Sequence, residues 1–461
     1  SPLGSIDIAL RQAHKTLDAH GITHREAQNE EFAVSMLSGT QMLEEHPHPE
    51  VDGVVGYWYG KGPGLDRAGD ALKHANFAGT SKHGAVVILS GEDHEAKSST
   101  VPYQQEFSFE HHGIPVLYPA SIQEILDYGL HAAALSRYSG CWVALKLVGT
   151  LCDGGEVVQL HADGIRPAVP TLELAGQPFA KAANHRFFPV INVETERRLY
   201  DERHAAVLAY ASANHLNRVV QSTTEDRIGI VSAGKSWADT LQALEDLGLD
   251  RAVMQAQGVR LAKVGLLCPG DAAFFREFAQ GLHTVIVVEE KRDFLERQVA
   301  VGIVGTSVRE LVGKQDSQGD RLFPVQGGMT SDMVAERVAR VFQRHFELPQ
   351  RVRLRVRYLA QKTANRAASL PARAPNYCSG CPHNVSTLLA PGQMAWGAPG
   401  CHLFAALMDD PQKRVEGTTQ LGGEGLPWLG LAQYTSRPHI VQNVGDGALA
   451  HSSYQNIRFA I

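Results

Sequence analysis

Gly445-Asp446-Gly447 follows an apolar stretch, His439-Ile440-Val441-Gln442-Asn443-Val444, and precedes small residues running to Asn456. A carboxylate at the carboxyl end of a parallel strand suits a hard cation that bridges a diphosphate. The flanking glycines let backbone N–H groups approach the phosphates, and a following helix offers its N-terminus. The same three residues also make an ordinary β-turn. Cys378-Ser379-Gly380-Cys381 is a second pattern with chemistry in it, because two thiolates at that spacing can grip one metal or cluster. Cys401 follows in Gly400-Cys401-His402, a glycine-marked turn. No fourth ligand is obvious: His383 or His402 would suit a zinc site, and a set of inert buried thiols is the plain alternative. Cys141, Cys152 and Cys268 lie in or beside apolar strands and read as core.

Two further patterns are weaker. Gln28-Asn29-Glu30-Glu31 opens a helix, where a carboxylate ordinarily complements the dipole. Gly229 through Gly234-Lys235-Ser236 has the letter spacing of a phosphate-binding P-loop. Its context is wrong, since Gly229 sits inside an apolar run and the residues before it, Gln221 to Asp226, are polar. A strand-to-helix turn in an α/β core is the better reading. The 21 histidines are too many to read singly and are taken as surface or supporting residues.

These residues need strands and helices to hold them. Val51–Trp58, Ala85–Ser90, Pro115–Tyr118 and Cys141–Leu147 are short apolar strands separated by helical patterns at Glu30–Leu43 and Ser121–Ser136. Ser121 with Glu124 three residues on is a capping box. Arg227–Ser232, Arg260–Val264 and His283–Glu290 repeat the rhythm, with a helix from Ser236 and another from about Asp271. Continuous apolar strands alternating with helices predict an α/β fold of several domains, with parallel sheets flanked by helices. The expected boundaries are an α/β domain over 1–195, a helical connector over 196–225, a second α/β domain over 226–345, a linker over 346–376 and a third domain over 377–461.

Bulk properties narrow the class. The 461 residues are 44% hydrophobic and 20% charged, with 44 glycines, which suits a loop-rich enzyme. A net charge of −6 without a long basic run gives nucleic acid and anionic membranes nothing to hold. No apolar run reaches the roughly 18–20 residues of a membrane span, and no signal peptide opens the chain. A cytoplasmic protein is expected. Ser1-Pro2-Leu3-Gly4 has no Met, and Gln455–Ile461 ends inside a helical pattern. Both ends are expected to be cut from a longer polypeptide.

Taken in order, the motifs resemble one family. Asn29-Glu30, then Trp58-Tyr59-Gly60-Lys61-Gly62-Pro63-Gly64-Leu65-Asp66-Arg67, then Gly91-Glu92-Asp93-His94-Glu95-Ala96-Lys97-Ser98-Ser99 open the match. Tyr377-Cys378-Ser379-Gly380-Cys381-Pro382-His383-Asn384, Gly400-Cys401-His402, Thr419-Gln420-Leu421-Gly422-Gly423-Glu424-Gly425 and Asn443–Gly447 with His451-Ser452 complete it. The series runs over essentially the whole chain and is similar to the large fused indolepyruvate ferredoxin oxidoreductases. That collinearity is more specific than any one motif.

The resemblance implies thiamine diphosphate, Mg²⁺ and a [4Fe–4S] cluster as cofactors. The first domain would hold the aminopyrimidine ring, the second would be transketolase-C-terminal-like, and the third would hold the diphosphate. Glu30 would bond the aminopyrimidine, with His451 a second catalytic candidate, and Asp446 would ligate Mg²⁺. Gly422, Gly445 and Gly447 would open the backbone to the cofactor. Cys378, Cys381 and Cys401 would ligate the cluster, and Lys61, Ser98, Ser99 and His383 would line the pocket. The implied reaction is oxidative decarboxylation of a 2-oxoacid, such as indolepyruvate, to acyl-coenzyme A and CO2. Electrons would leave to ferredoxin or a similar acceptor. The implied partners are the remaining domains of the same polypeptide and a second copy in a homodimer, with no nucleic acid and no membrane. The family's second side-chain Mg²⁺ ligand and its fourth cluster cysteine would fall past Ile461. A non-oxidative thiamine-diphosphate decarboxylase and a zinc-binding non-catalytic subunit are the alternative readings.

Overall fold

A computed structural model describes residues 3–160, 164–364 and 376–461. They fall into two compact units. The second takes residues 366–461 together with Ala27–Asn29 and Ser98–Val101, and the first takes the rest.

The first unit contains two five-stranded sheets. Its strands are β1 (Val55–Lys61), β2 (Ala85–Glu92), β3 (Val116–Leu117), β4 (Val143–Val148), a small hairpin of β5 (Glu173–Leu174) and β6 (Gln177–Pro178), then β7 (Arg218–Gln221), β8 (Ile228–Ala233), β9 (Val259–Val264), β10 (Leu266–Cys268), β11 (Thr284–Val288) and β12 (Glu310–Val312). The sheet orders are β1-β2-β4-β3-β10 and β12-β11-β8-β9-β7. All pairs are parallel except β10 on β3 and β7 on β9.

Every residue of β4, β8 and β11 is buried, as parallel strands covered on both faces require. The two-residue period of a strand then sorts the side chains into layers. Val86 and Ile88 of β2 share one core with Val231, Val264 and Val285 of the second sheet. The alternate residues Val87, Val143 and Leu145 face outward onto Leu135 and Tyr210. On the far side of the second sheet, Ile230 and Ile286 pack against Trp237, Val334 and Phe342. One central core therefore joins two sheets that the sequence suggests are separate domains.

Several elements depart from the sequence reading. Val51–Val54 precede β1, and His439–Val444 supplies only a two-residue strand, Val441–Gln442. The expected connector is helical to Ala213 but then contributes β7 to the second sheet. Part of the expected linker is a helix, Gln350–Ala364, because Val352, Val356 and Leu359 recur at helical spacing and pack into the second sheet's outer core. The Pro- and Ala-rich remainder over 365–375 lies outside the described residues. The helix expected over Ser121–Ser136 spans Ile122–Ser139, and Ser121 Oγ caps it by accepting the Glu124 amide at 3.1 Å. Among the described residues no helix is long and apolar enough to cross a membrane.

The second unit holds a three-stranded parallel sheet, β13 (Ala395–Gly397), β14 (Val415–Thr418) and β15 (Val441–Gln442), in the order β14-β13-β15.

Candidate functional site

Because the three strands of the second unit run parallel, all three following loops leave the same edge of the sheet. β13 leads to Gly400-Cys401, β14 to the loop carrying Gly422, and β15 to Gly445-Asp446-Gly447. Ligands of open α/β sheets bind at this carboxyl edge. Neither β13 nor β14 was apparent in the sequence, since each is only three or four residues long.

Asp446 opens a helical run to Ala460 that widens into a π-type turn over Leu449–Ser453, a distortion common at functional positions. The Asp446 side chain is exposed and its Oδ1 accepts the Gly447 amide at 2.8 Å. A β-carbon on Gly445 or Gly447 would meet no atom within 4 Å, so the space above both is open. Gly422 has φ +88°, the left-handed region that favours glycine. Its carbonyl accepts Asn456 Nδ2 at 3.0 Å, which ties the loop after β14 to the helix after Asp446.

Glu424 and Ser453 are additions to the expected residues. Glu424 is buried, and its Oε2 accepts the Gly422 amide at 2.9 Å and Ser453 Oγ at 2.6 Å. Glu424 Oε1 and Asn443 Nδ2 are buried without a partner among the described residues. Buried polar atoms are nearly always hydrogen-bonded in folded proteins, so two unpaired ones here call for an explanation. The signal for Glu424 was its place in the quoted glycine-rich motif, but its burial was not legible there. Asn456 is committed to the Gly422 and Glu424 carbonyls, so it is not a spare Mg²⁺ ligand.

The cysteine segment is a compact turn. The Cys381 amide donates to the Cys378 carbonyl at 3.0 Å, and Asn384 Nδ2 reaches both carbonyls. His383 Nδ1 lies 3.2 Å from Cys381 Sγ. Tyr377 donates to the His402 carbonyl at 3.0 Å, which links this turn to the one bearing Cys401. Cys378 and Cys401 are exposed, and Cys381 is partly buried. Among the described residues no three His, Cys, Asp or Glu side chains are gathered closely enough to hold a metal ion, so the three cysteines are near in the chain without forming a ligand set. His451 contacts Ser452 Oγ at 2.7 Å. Ser98 and Ser99 belong to this second unit, and Ser99 Oγ is buried without a partner among the described residues.

Glu30 and Lys61 lie in the first unit. Glu30 opens the helix Glu30–Thr40, and its carbonyl accepts Trp58 Nε1 at 3.3 Å. Lys61 ends β1 and precedes the helix Gly62–Arg67. Burial lowers the Lys61 ammonium below its ordinary range, with Asp93 opposing that shift. Lys235 is not a phosphate ligand here: Gly229 is inside β8, and Lys235 Nζ is held by Asp239, Glu290 and the Met329 carbonyl.

A buried charge network of the first unit was not anticipated. His94 Nε2 meets Glu92 Oε2 at 2.8 Å and His94 Nδ1 meets Glu290 Oε2 at 2.9 Å. Lys146 Nζ bridges Glu92 at 3.2 Å and Glu106 at 2.8 Å. Burial and Lys146 push the His94 imidazole down, yet the bonds to Glu290 and Glu92 prevail and hold it above its ordinary value. Glu290 is lowered to about 2: burial opposes this, but the bond to His94 and the charges of His94 and Lys235 outweigh it. The network borders a cavity of about 10 Å³, room for one water, lined in part by Tyr118, whose hydroxyl has no partner among the described residues.

Comparison with known proteins places the sequence and the fold among others. A solved structure of 2-oxoglutarate:ferredoxin oxidoreductase from Magnetococcus marinus, with 2-oxoglutarate, coenzyme A and succinyl-CoA bound, shares the fold. It has a TM-score of 0.50 and 16% identity over 73% of this chain and 60% of that one. The two chains thus share an α/β architecture of parallel sheets flanked by helices. A family model described as an indolepyruvate oxidoreductase domain matches residues 218–367. Indolepyruvate oxidoreductase subunit IorA of Methanothermobacter marburgensis is 28% identical over 89% of this chain and 62% of its own length. The Archaeoglobus fulgidus protein of the same name is 23% identical over 84% of this chain and 58% of its own. Over most of its length the chain is similar to the indolepyruvate oxidoreductase subunits, and it spans about 60% of the length of the curated relatives it matches.

Proposed function

We propose that this chain is the thiamine-diphosphate-binding part of an enzyme that oxidatively decarboxylates a 2-oxoacid, with an arylpyruvate such as indolepyruvate as substrate and coenzyme A as acyl acceptor. One observation carries the reading: Cys401, Gly422 and Asp446 all follow parallel strands at one carboxyl edge. The open space over Gly445 and Gly447, with unpartnered Asn443 Nδ2 and Glu424 Oε1, fits a diphosphate and its cation.

In this reading Asp446 ligates Mg²⁺ and the amides after Gly445 face the phosphates, while Asn443 donates to a phosphate oxygen. Glu424, anchored by Ser453, sets the Gly422 loop. Glu30 binds the aminopyrimidine and holds a proton at its carboxylate, while Lys61, Ser98, Ser99, His383 and His451 bind and orient substrate and cofactor. Thiamine diphosphate, when bound, supplies a carbon nucleophile and an electron sink. The family resemblance makes a homodimer, the remaining domains of the polypeptide and ferredoxin or a similar electron acceptor part of the proposal. Cys378, Cys381 and Cys401 are the proposed cluster ligands. They are not gathered as a set here, so no step is routed through them.

The test is anaerobic activity of the full-length protein with a panel of 2-oxoacids, coenzyme A and an artificial electron acceptor, together with iron and sulfide analysis. Acyl-coenzyme A formation from arylpyruvates is expected. No activity with any aryl- or alkyl-pyruvate overturns the reading, CO2 release without reduction of the acceptor points to a non-oxidative decarboxylase, and zinc in place of iron points to a structural subunit.

A further inference from the structure

The loop after β2 carries Asp93, whose carboxylate accepts the Lys97 amide at 2.9 Å and whose carbonyl accepts the Tyr103 amide at 3.3 Å. Lys61, at the end of β1, stands opposite Gly91 of β2, two residues before Asp93, and the Asp93 charge opposes the lowering of the Lys61 ammonium. The next residue, His94, is the centre of the buried network. Both of its ring nitrogens face carboxylates, and a neutral imidazole has only one N–H to give. One extra proton is therefore shared by Glu92, His94 and Glu290. Beyond His94 the pattern continues to Lys235 and Asp239 on the helix after β8. Glu92 ends β2, and Glu290 lies two residues past β11. The network thus bolts the carboxyl ends of two sheets together at the loop that holds Asp93.

A second observation, independent of the ion pairs, marks the same place. Ala96 has φ +55° and Lys291 has φ +62°. Non-glycine residues rarely adopt this strained conformation, which concentrates at functional sites. Ala96 lies two residues after His94, and Lys291 Nζ donates to the His94 carbonyl at 3.0 Å. Both strained residues adjoin His94, Ala96 within its own loop and Lys291 through the His94 carbonyl.

We infer that His94, clamped by Glu92 and Glu290, is a positioning residue: it holds the 93–97 loop so that Asp93 presents Lys61 to the bound cofactor. This deepens the function proposed above and rests on it.

The test uses the full-length protein with His94→Ala and with Glu290→Gln, which keeps the side-chain shape should the alanine variant fail to fold. Amide hydrogen exchange and thiamine diphosphate affinity are read together. Faster exchange of the Lys97 amide is expected while Val86–Leu89 in β2 stay protected. Thiamine diphosphate affinity falls about tenfold, and kcat at saturating cofactor recovers towards that of the unaltered protein. Unchanged exchange with unchanged affinity overturns the inference. Loss of protection across Val86–Leu89 also overturns it, because His94 would then hold the sheet and not the loop. If the unaltered protein binds no thiamine diphosphate, the proposed function fails instead, and the exchange pattern still decides whether His94 orders the loop.

Discussion

Gly64 lies directly against Glu30: a β-carbon built on it would fall 2.5 Å from Glu30 Cγ. The glycine therefore leaves the space in which the carboxylate stands. Gly64→Ala must displace Glu30, and turnover of the full-length protein is expected to fall about as far as in Glu30→Ala, roughly 10²–10⁴-fold for a lost proton-transfer group. Steady-state kinetics of the two variants check this. A fully active Gly64→Ala protein would separate Glu30 from the chemistry.

Asp446 is exposed, and among the described residues its side chain is bonded only within its own turn. Asp446→Asn is expected to leave the melting temperature unchanged and to abolish the Mg²⁺-dependent part of thiamine diphosphate binding, read by titration calorimetry with and without chelator. Retained Mg²⁺ dependence would remove Asp446 from the cation site.

Glu424→Ala removes a carboxylate that accepts both the Gly422 amide and Ser453 Oγ. Hydrogen bonds to a charged group contribute about 1.5–3 kcal/mol, so denaturant unfolding is expected to shift by an amount in that range. Ser453→Ala should give a smaller loss, since it leaves the Gly422 bond intact. Equal losses from the two variants would contradict this order.

Stability should fall on the alkaline side. His94 is held above its ordinary value, so its contribution is present below the unfolded pKa of about 6.5 and is lost as pH rises through the folded value. Glu289 lines the same cavity, and burial, with Lys314 opposing, pushes it up to about 8 from an ordinary 4.5. Its contribution is lost as pH rises from 4.5 through about 8. Glu290 acts oppositely: held at about 2, it stabilises above its ordinary range and is lost as pH falls towards 2. Scanning calorimetry should show Tm declining from neutral pH to about pH 9, with a shallower decline in His94→Gln. An identical slope in that variant would mean that His94 does not titrate in the window.

Much of the α/β pattern was legible because buried parallel strands are continuous apolar runs. Ala85–Ser90 and Arg227–Ser232 correspond to β2 and β8 within two residues at each end. Gly445-Asp446-Gly447 was legible because its turn chemistry is local. The short strands Ala395–Gly397 and Val415–Thr418 were not, since three or four residues are too few to carry a periodicity. The His94 network was hidden for a different reason. Glu92, Lys146 and Glu290 are far apart in the chain, and a charged side chain reads as surface until its partners are placed.

β10 has a consequence for anyone who cuts this chain. Its three residues follow β9 of the second sheet after a single glycine, yet they pair with β3 of the first. The span matched by the family model, 218–367, includes β10 but not β3. Expressed alone, that span would carry a strand without its template, and the complementary piece would keep an uncapped edge at β3 open to other chains. The natural seam for dissection or domain exchange lies beyond the second sheet, not between the two.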